Sequence, residues 1–549
     1  MKKDKEALIY IGITLIVVFF NLIGIFGCDV LLHDDPGWYM DVLEGRFPKG
    51  LIRYSTLIAY KEWMAWNIMT YSPQLARGLY VLLLLAPISC CFYYLLHYKF
   101  GFSRLSALTA SILPNILPYQ WQIPAGINMS YTLWGLLFAV FSLIMGFHYL
   151  EKTTPRNWMR LLGAVLLYYI ATQMTEQGVF LLPPLVVAFF GCTRWSKKHA
   201  WLISLFFITA AVKFIHIVTS PRRPIYIASI DEMLKRFGIY IKLSLPFPDI
   251  EPVFAVIFCL TIIGIGYILY IKRPGLYSQA RIHNWYLYPF FICWYVSAIF
   301  IFLIVPIGYT PRYTHTASFG LNALLIFSLY VIFKKGFLKK YKFHIFVFIG
   351  IIIYSGTFRY LHLKKVYAPL NNTQKIIIRE LNKRALPLNS QVVIVGVKEV
   401  WGGWKRASGY LKYALKRNDI TGLIGSINSS EFYNFDNHFD PRIRKFKKRF
   451  EMTGLSIDKP VFLFLLLEKQ QQLEQFEYAL QWKGRTKNAP WTILKVDKKM
   501  GKILPFRSGI GMKEYLLTLE KLIKQGISQS DILWGGPPTK EQLERLGEL

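Results

Sequence analysis

Residues 7–27, ALIYIGITLIVVFFNLIGIFG, are followed by His33-Asp34-Asp35-Pro36-Gly37-Trp38-Tyr39. The first stretch is apolar over a length that crosses a bilayer, and Lys2, Lys3 and Lys5 precede it. Ile25-Phe26-Gly27-Cys28 resembles a loose lipoprotein cleavage site, but the run is long enough to span and many further apolar runs follow, so it reads as an uncleaved first membrane helix. The second stretch then lies at the opposite membrane surface. Two adjacent carboxylates beside lipid are costly unless solvated or put to use, so Asp34 and Asp35 are functional candidates. The competing reading is a helix cap, since Asp favours the N-cap and Pro the first helical position.

Apolar runs recur at roughly 77–97, 104–118, 130–150, 159–175, 178–193, 200–219, 253–271, 285–307, 318–333 and 344–361. Together they predict about eleven spans. The chain has 549 residues, 54% of them hydrophobic and 16% aromatic, with mean hydropathy +0.33. That balance excludes a soluble globular protein. The six cysteines all fall in or beside apolar runs, where they read as small hydrophobes rather than a disulfide framework.

The formal net charge is +33. In a multispan chain such a charge serves orientation and anionic lipid, so nucleic acid is not an expected partner. Lys99, Arg104, Lys152, Arg156, Arg160, Arg194, Lys197, Lys198, Lys272, Arg273, Lys334, Lys335 and Lys339 crowd alternate loops. The intervening loops near 119–129 and 173–178 carry no Lys or Arg. The N-terminus is therefore expected in the cytoplasm and, with an odd span count, the C-terminal third outside it.

Two outer loops are long. In 28–76 the stretch from Arg53 to Trp66 reads as an interface-lying helix, and in 220–252 a second amphipathic stretch runs from Asp231 to Lys242. From about 370 the pattern becomes that of a water-soluble α/β unit. Strands are expected at 391–397, 460–467 and 491–496, and helices at 408–417, 468–482 and 512–526. The fold class is thus an all-α polytopic membrane domain, residues 1–365, with a C-terminal soluble α/β domain, residues 366–549. Gly396 and Gly402-Gly403 do not have dinucleotide-fingerprint spacing. The basic run Arg442 to Arg449 reads as a solvated face or as a membrane-docking patch.

Five polar clusters share the outer side: Asp34/Asp35, Lys61/Glu62, Thr175-Glu176-Gln177-Gly178, Arg222/Arg223, and Tyr309-Thr310-Pro311-Arg312-Tyr313-Thr314-His315. Carboxylates suit a base and guanidinium groups suit a phosphate. Arg222 and Arg223 also suit lipid headgroups, Arg312 an interface anchor and Glu176 a solvated turn, while His33 and His315 read as solvated or hydrogen-bonded rather than as metal ligands.

The layout resembles the GT-C superfamily of membrane glycosyltransferases, which includes protein O-mannosyltransferases, aminoarabinose transferases and TMTC-like enzymes. The acidic pair Asp34-Asp35 is similar to their first-loop acidic motif. Thr175-Glu176-Gln177-Gly178 through Pro183 resembles a Lys-Glu-x-Gly segment, with Thr175 in place of Lys. Arg312 through Gly320 resembles an Arg-Tyr-x-x-x-Pro-Ser-x-Gly segment, with Ala317 in place of Pro. The resemblance covers roughly residues 7–361.

It implies inverting transfer of a sugar from a polyprenyl-phosphate donor to an extracytoplasmic acceptor of the cell envelope, in a bacterial plasma membrane. Asp34 or Asp35 would be the base, and Arg312, Arg222, Arg223 and Lys61 would hold the donor phosphate. Glu176, Tyr313 and His315 would contact substrate. Some members of the superfamily use a divalent cation such as Mg or Mn and others none, which leaves metal open. Two other readings stand beside this one: a polysaccharide polymerase or ligase using a diphosphate-linked donor, and a non-enzymatic lipid or polysaccharide transporter. Against transport, few charges sit deep in the spans, and no pair of Gly/Pro-broken helices repeats in two halves.

Overall fold

The computed structural model describes residues 2–23, 72–121, 130–151, 157–191, 195–219, 228–247, 249–271, 286–304, 314–335, 343–383, 388, 391–395, 404–425, 461–466, 490–497, 502–510 and 532–534. The chain divides into two units, one of Met1–Gly27 with Pro48–Tyr367, the other of Cys28–Phe47 with Ala368–Leu549.

The described part of the first unit is helical. Helix α1 is Lys2–Leu22. Next comes one long span built of α2 (Pro73–Tyr80), a π-helical turn Val81–Leu85, α3 (Ala86–Tyr94) and a second π-helical turn Leu95–Lys99. Pro87 accounts for the first π turn: it lacks an N–H and its ring crowds the preceding turn, so the ladder changes register just before it. Helix α4 (Arg104–Ile116) begins at Ser103, whose hydroxyl accepts from the Ser106 N–H at 3.2 Å. It ends where Leu117 turns extended ahead of Pro118. A short 3-10 turn, Pro118–Trp121, follows.

The remaining helices are α5 (Ser130–Glu151), α6 (Asn157–Met174), α7 (Glu176–Phe180), α8 (Leu182–Phe190), α9 (Lys197–Thr219), α10 (Ile230–Leu243), α11 (Pro252–Ile271), α12 (Leu287–Ile304), α13 (His315–Lys335) and α14 (Phe343–Lys383).

Among the described residues, seven helices are long and apolar enough to cross a membrane. The protein is an integral, multi-pass membrane protein. The other four predicted runs are also helical but shorter or less apolar. The 104–118 run gives only the 13 residues of α4, about 20 Å of helix, less than the roughly 30 Å hydrocarbon core. The predicted run 178–193 is divided between α7 and α8, which restarts at the Pro183-Pro184 pair. The amphipathic stretch from Asp231 to Lys242 is helix α10, with Ile230 and Leu234 exposed on one side and Arg236 and Tyr240 buried on the other.

Helix α13 is the centre of this unit: 78% of its spanning window is buried, against 22% for α11. Helices α4, α11 and α12 all pack on it. Gly320 lets α12 approach, because a Cβ there would lie 2.8 Å from Trp294 Cδ1 and 3.0 Å from the Phe291 carbonyl. Around that contact Phe92, Phe290, Trp294 and Phe319 stack edge to face at centroid distances of 4.9–5.9 Å. At the opposite end from the predicted outer loops, Lys99 donates to both carboxylate oxygens of Glu151 at 2.9 and 2.8 Å. That pair satisfies a lysine with only 5% of its side chain exposed.

In the second unit six strands form one sheet: β1 (Gln391–Val395), β2 (Thr421–Gly425), β3 (Val461–Leu466), β4 (Pro490–Asp497), β5 (Lys502–Ile510) and β6 (Ile532–Trp534), in the order β2-β1-β3-β6-β4-β5. Strands β1, β2 and β3 are parallel, β6 runs antiparallel to β3 and β4, and β4–β5 is an antiparallel pair with a register irregularity between Ile493 and Leu494. Helix α15 (Trp404–Leu415) joins β1 to β2, the helical crossover that a parallel pair requires. Lys416 closes it at φ 55°. The helices expected at 468–482 and 512–526 lie outside the described residues.

Candidate functional site

Of the residues singled out from sequence, Asp34, Asp35, Lys61, Arg222, Arg223, Arg312 and Tyr313 lie outside the described residues, as does the side chain of Glu176. Two of the motif segments are described in part, and within the first unit they meet.

The first is the break between α6 and α7. Thr175 adopts extended backbone (φ −151°, ψ 146°) and its hydroxyl accepts from the Gln177 N–H at 3.3 Å. Thr is a good N-cap and Lys is not, which gives Thr175 a local reason. Gly178 then packs on the preceding helix: a Cβ would lie 2.5 Å from the Ala171 oxygen and 2.7 Å from its carbonyl carbon. Both are backbone atoms, so neither can swing away. Gly178→Ala should therefore destabilise the protein by about 1–3 kcal/mol, read as a lowered thermal midpoint in detergent. A midpoint equal to wild type would mean the turn opens freely.

The second segment is the start of α13. Thr316 Oγ1 donates to Gln177 Oε1 at 3.3 Å, and Gln177 Nε2 donates to the Ala298 carbonyl of α12 at 3.1 Å. Trp294 Nε1 donates to the Thr316 carbonyl at 2.9 Å. Gln120, in the 3-10 turn after α4, donates through Nε2 to Thr314 Oγ1 at 2.6 Å. The 118–121 turn, the 173–178 turn and Thr314–Thr316 thus come together at one end of the helices. Beside Gln120, burial pushes the Tyr119 phenol up, with the Asp249 carboxylate adding to the shift.

His315 is fully buried. Its Nε2 lies 2.8 Å from Asn115 Oδ1, and its ring meets Phe319 edge-on at 5.4 Å. In the conformation described the ring has no exposed surface.

Three polar residues inside apolar runs join this cluster and were not evident from sequence. Asn115 Nδ2 donates to the Leu85 carbonyl at 3.1 Å and to Ser89 Oγ at 2.6 Å. Asn21 Nδ2 donates to the Val17 and Asn115 carbonyls at 2.7 and 3.1 Å. Arg359, fully buried on α14, donates to the Leu117 carbonyl at 2.9 Å, to the Gln120 carbonyl at 3.2 Å and to Asn21 Oδ1. A lone polar residue in an otherwise apolar run was the available signal. Near the α6–α7 break, Lys213 of α9 is buried and donates to Gln173 Oε1 at 3.3 Å.

Among the described residues no three His, Cys, Asp or Glu side chains are grouped to hold a metal ion.

No known family model and no curated protein matches the chain. Among solved structures it is similar to apo ArnT, an aminoarabinose transferase, from Cupriavidus metallidurans: 11% identity, TM-score 0.47, covering 86% of this chain and 95% of that one. The same enzyme bound to undecaprenyl phosphate gives 12% identity and TM-score 0.43, covering 85% and 94%. The Archaeoglobus fulgidus oligosaccharyltransferase, in a complex with Zn and sulfate, gives 13% identity and TM-score 0.42, covering 91% and 74%.

Proposed function

We propose that this protein is a membrane glycosyltransferase that moves a sugar from a polyprenyl-phosphate donor to an extracytoplasmic acceptor of the cell envelope. The observation that carries the reading is the meeting of two motif segments, Thr175–Gly178 and Thr314–Ser318, through the Gln177–Thr316 hydrogen bond. Segments more than a hundred residues apart, each with its own resemblance to the same superfamily, share one polar cluster at one end of the helices.

The chemistry assigned to it is one inverting displacement. The acceptor hydroxyl attacks the anomeric carbon, and its proton passes to Asp34 or Asp35. A new C–O bond forms as the bond to the phosphate oxygen breaks. The electron pair leaves with the lipid phosphate, whose charge Arg312 neutralises, with Arg222, Arg223 and Lys61 as further cations. Glu176 and Tyr313 line the sugar or acceptor. A divalent cation is compatible with the scheme and is not needed for its balance. The orientation that serves it puts the N-terminus in the cytoplasm and residues 366–549 outside as a soluble α/β domain.

The test is mass spectrometry of envelope glycans and glycolipids from wild-type, deletion and complemented strains. Deletion should remove one sugar from a defined glycan, and Arg312→Ala, correctly inserted, should fail to restore it. Loss of a whole repeat unit would instead favour the polymerase, and an unchanged glycan profile with displaced lipid would favour the transporter.

A further inference from the structure

We propose that the paired N-termini of α6 and α9 form a binding site for the headgroup phosphate of an anionic phospholipid, at the end of these helices opposite the Gln177–Thr316 cluster. Its donors are His199, Lys197, Lys198 and Arg160. The glycosyl-transfer reading is not needed for it.

The two helices run parallel. Lys213 of α9 meets Gln173 of α6, 40 positions earlier, and Phe206 stacks on Tyr168 at 4.7 Å with nearly the same offset. Matching offsets at two depths leave Asn157 and Lys197, the first residues of the two helices, side by side. Both ends also meet Tyr149, near the end of α5. Asn157 Nδ2 donates to the Tyr149 carbonyl at 2.9 Å, and Lys198 Nζ lies 5.8 Å from the Tyr149 ring centroid. Two positive helix ends thus lie together, each with backbone N–H groups that the helix itself cannot satisfy.

An Asp or Glu in the first turn ordinarily compensates such an end. Neither helix has one there; Lys197, Lys198 and Arg160 stand close to the two ends instead. The carboxylate at the end of α5, Glu151, is held by Lys99. Membrane orientation accounts for basic residues at this end. It does not account for cations placed against two adjacent positive helix ends, which an anion would reconcile.

His199 calls for the same ligand. The Ser196 N–H donates to its Nδ1 at 3.1 Å, so the neutral ring carries its hydrogen on Nε2. That N–H is buried and has no hydrogen-bond partner among the described residues, in a residue only 4% exposed. Positions seven apart nearly superpose on a helix, so His199 shares one line of α9 with Phe206 and Lys213, the two residues that meet α6. The donor therefore lies at the seam between the two N-termini. A packing role alone would be served better by an apolar ring, which buries no unpaired N–H.

The rim identifies the anion as a lipid. Trp158 and Trp195 are exposed beside the two helix ends, and Trp195 stacks between Phe190 and His199 at 4.8 and 5.3 Å. Indole rings so placed sit at the headgroup level of a bilayer. The excess of cations favours a net-negative headgroup over a zwitterionic one.

Native mass spectrometry of the full-length protein in detergent tests this, with phosphatidylglycerol, phosphatidylcholine and diacylglycerol of matched acyl chains as probes. Wild type should bind its first phosphatidylglycerol about tenfold more tightly than phosphatidylcholine. Lys197→Gln/Lys198→Gln should bring the two phospholipids within about threefold of each other. His199→Phe, which keeps the stack on Trp195 and loses the donor, should weaken both phospholipids about fivefold and leave diacylglycerol unchanged. His199→Gln, whose amide can still donate, should stay within about twofold of wild type.

Equal affinity of wild type for the two phospholipids, or an unchanged preference in the double lysine variant, would overturn the site. Wild-type phosphatidylglycerol binding by His199→Phe would do the same. Displacement of the bound lipid by an equal concentration of inorganic phosphate would mark a soluble-anion site and overturn the lipid assignment. If His199→Phe does not purify folded, the double lysine variant decides alone.

Discussion

Replacing Asp34 and Asp35 together by asparagine is expected to lower sugar transfer by at least about 100-fold while leaving the protein folded and inserted. The size follows from the role assigned. A positioned general base contributes roughly 10²–10⁴ in rate, and an asparagine amide has no basic lone pair to take the acceptor proton. The choice of asparagine also separates the two readings of the pair. Asn caps a helix about as well as Asp, so if the aspartates only cap, the double variant keeps both its thermal midpoint and its activity. The measurement is single-turnover transfer from a polyprenyl-phosphate sugar, with the midpoint recorded on the same sample. Activity at the wild-type level would remove the base from the scheme above.

The second large effect is expected at Arg359. Its guanidinium is buried and donates to the Leu117 and Gln120 carbonyls and to Asn21 Oδ1. Arg359→Met would fill much the same volume and supply no donor. Hydrogen bonds from a charged group contribute about 1.5–3 kcal/mol each. Acceptors left unsatisfied in an apolar surrounding also carry their own desolvation cost, so a loss of about 3 kcal/mol or more is expected. It should appear as a thermal midpoint in detergent lowered by several degrees and as proteolysis near the 118–121 turn. Arg359→Lys should recover only part of it, because a single ammonium cannot reproduce the fork that reaches several acceptors. A midpoint unchanged in Arg359→Met would mean that α14 is held by packing alone.

Sequence and structure diverge for reasons that can be traced to particular residues. Apolar runs such as 200–219 and 253–271 were legible because a window average over twenty residues detects them. The same average hides a single Asn21, Asn115 or Arg359, and no local pattern pairs Asn21 with a residue 338 positions away. The break at Thr175 lies in a turn that sequence placed between two spans, but its capping bond and the close approach of Gly178 depend on α6. In the second unit β1, β3 and β4 announce themselves as branched and aromatic runs. Strand β5 contains Pro505, and β6 has only three residues, so neither has the alternation that marks a strand. The catalytic candidates themselves came from motif resemblance and residue chemistry, which no periodicity could supply.

The Asn21–Arg359 bond also sets a timetable for synthesis. Asn21 is made in the first helix and must enter the membrane with its side-chain oxygen unmatched until Arg359 emerges. At a translation rate of ~5–20 residues per second the 338 intervening positions correspond to roughly 17–70 s. Once made, the carbonyls of Leu117 and Gln120 lack this donor over the remaining 242 and 239 positions. Helix α14 is thus the keystone of biogenesis: nascent chains that stop short of it carry an incomplete polar core, which membrane quality-control proteases can recognise. Assembly of this bundle is completed from its last helix back to its first.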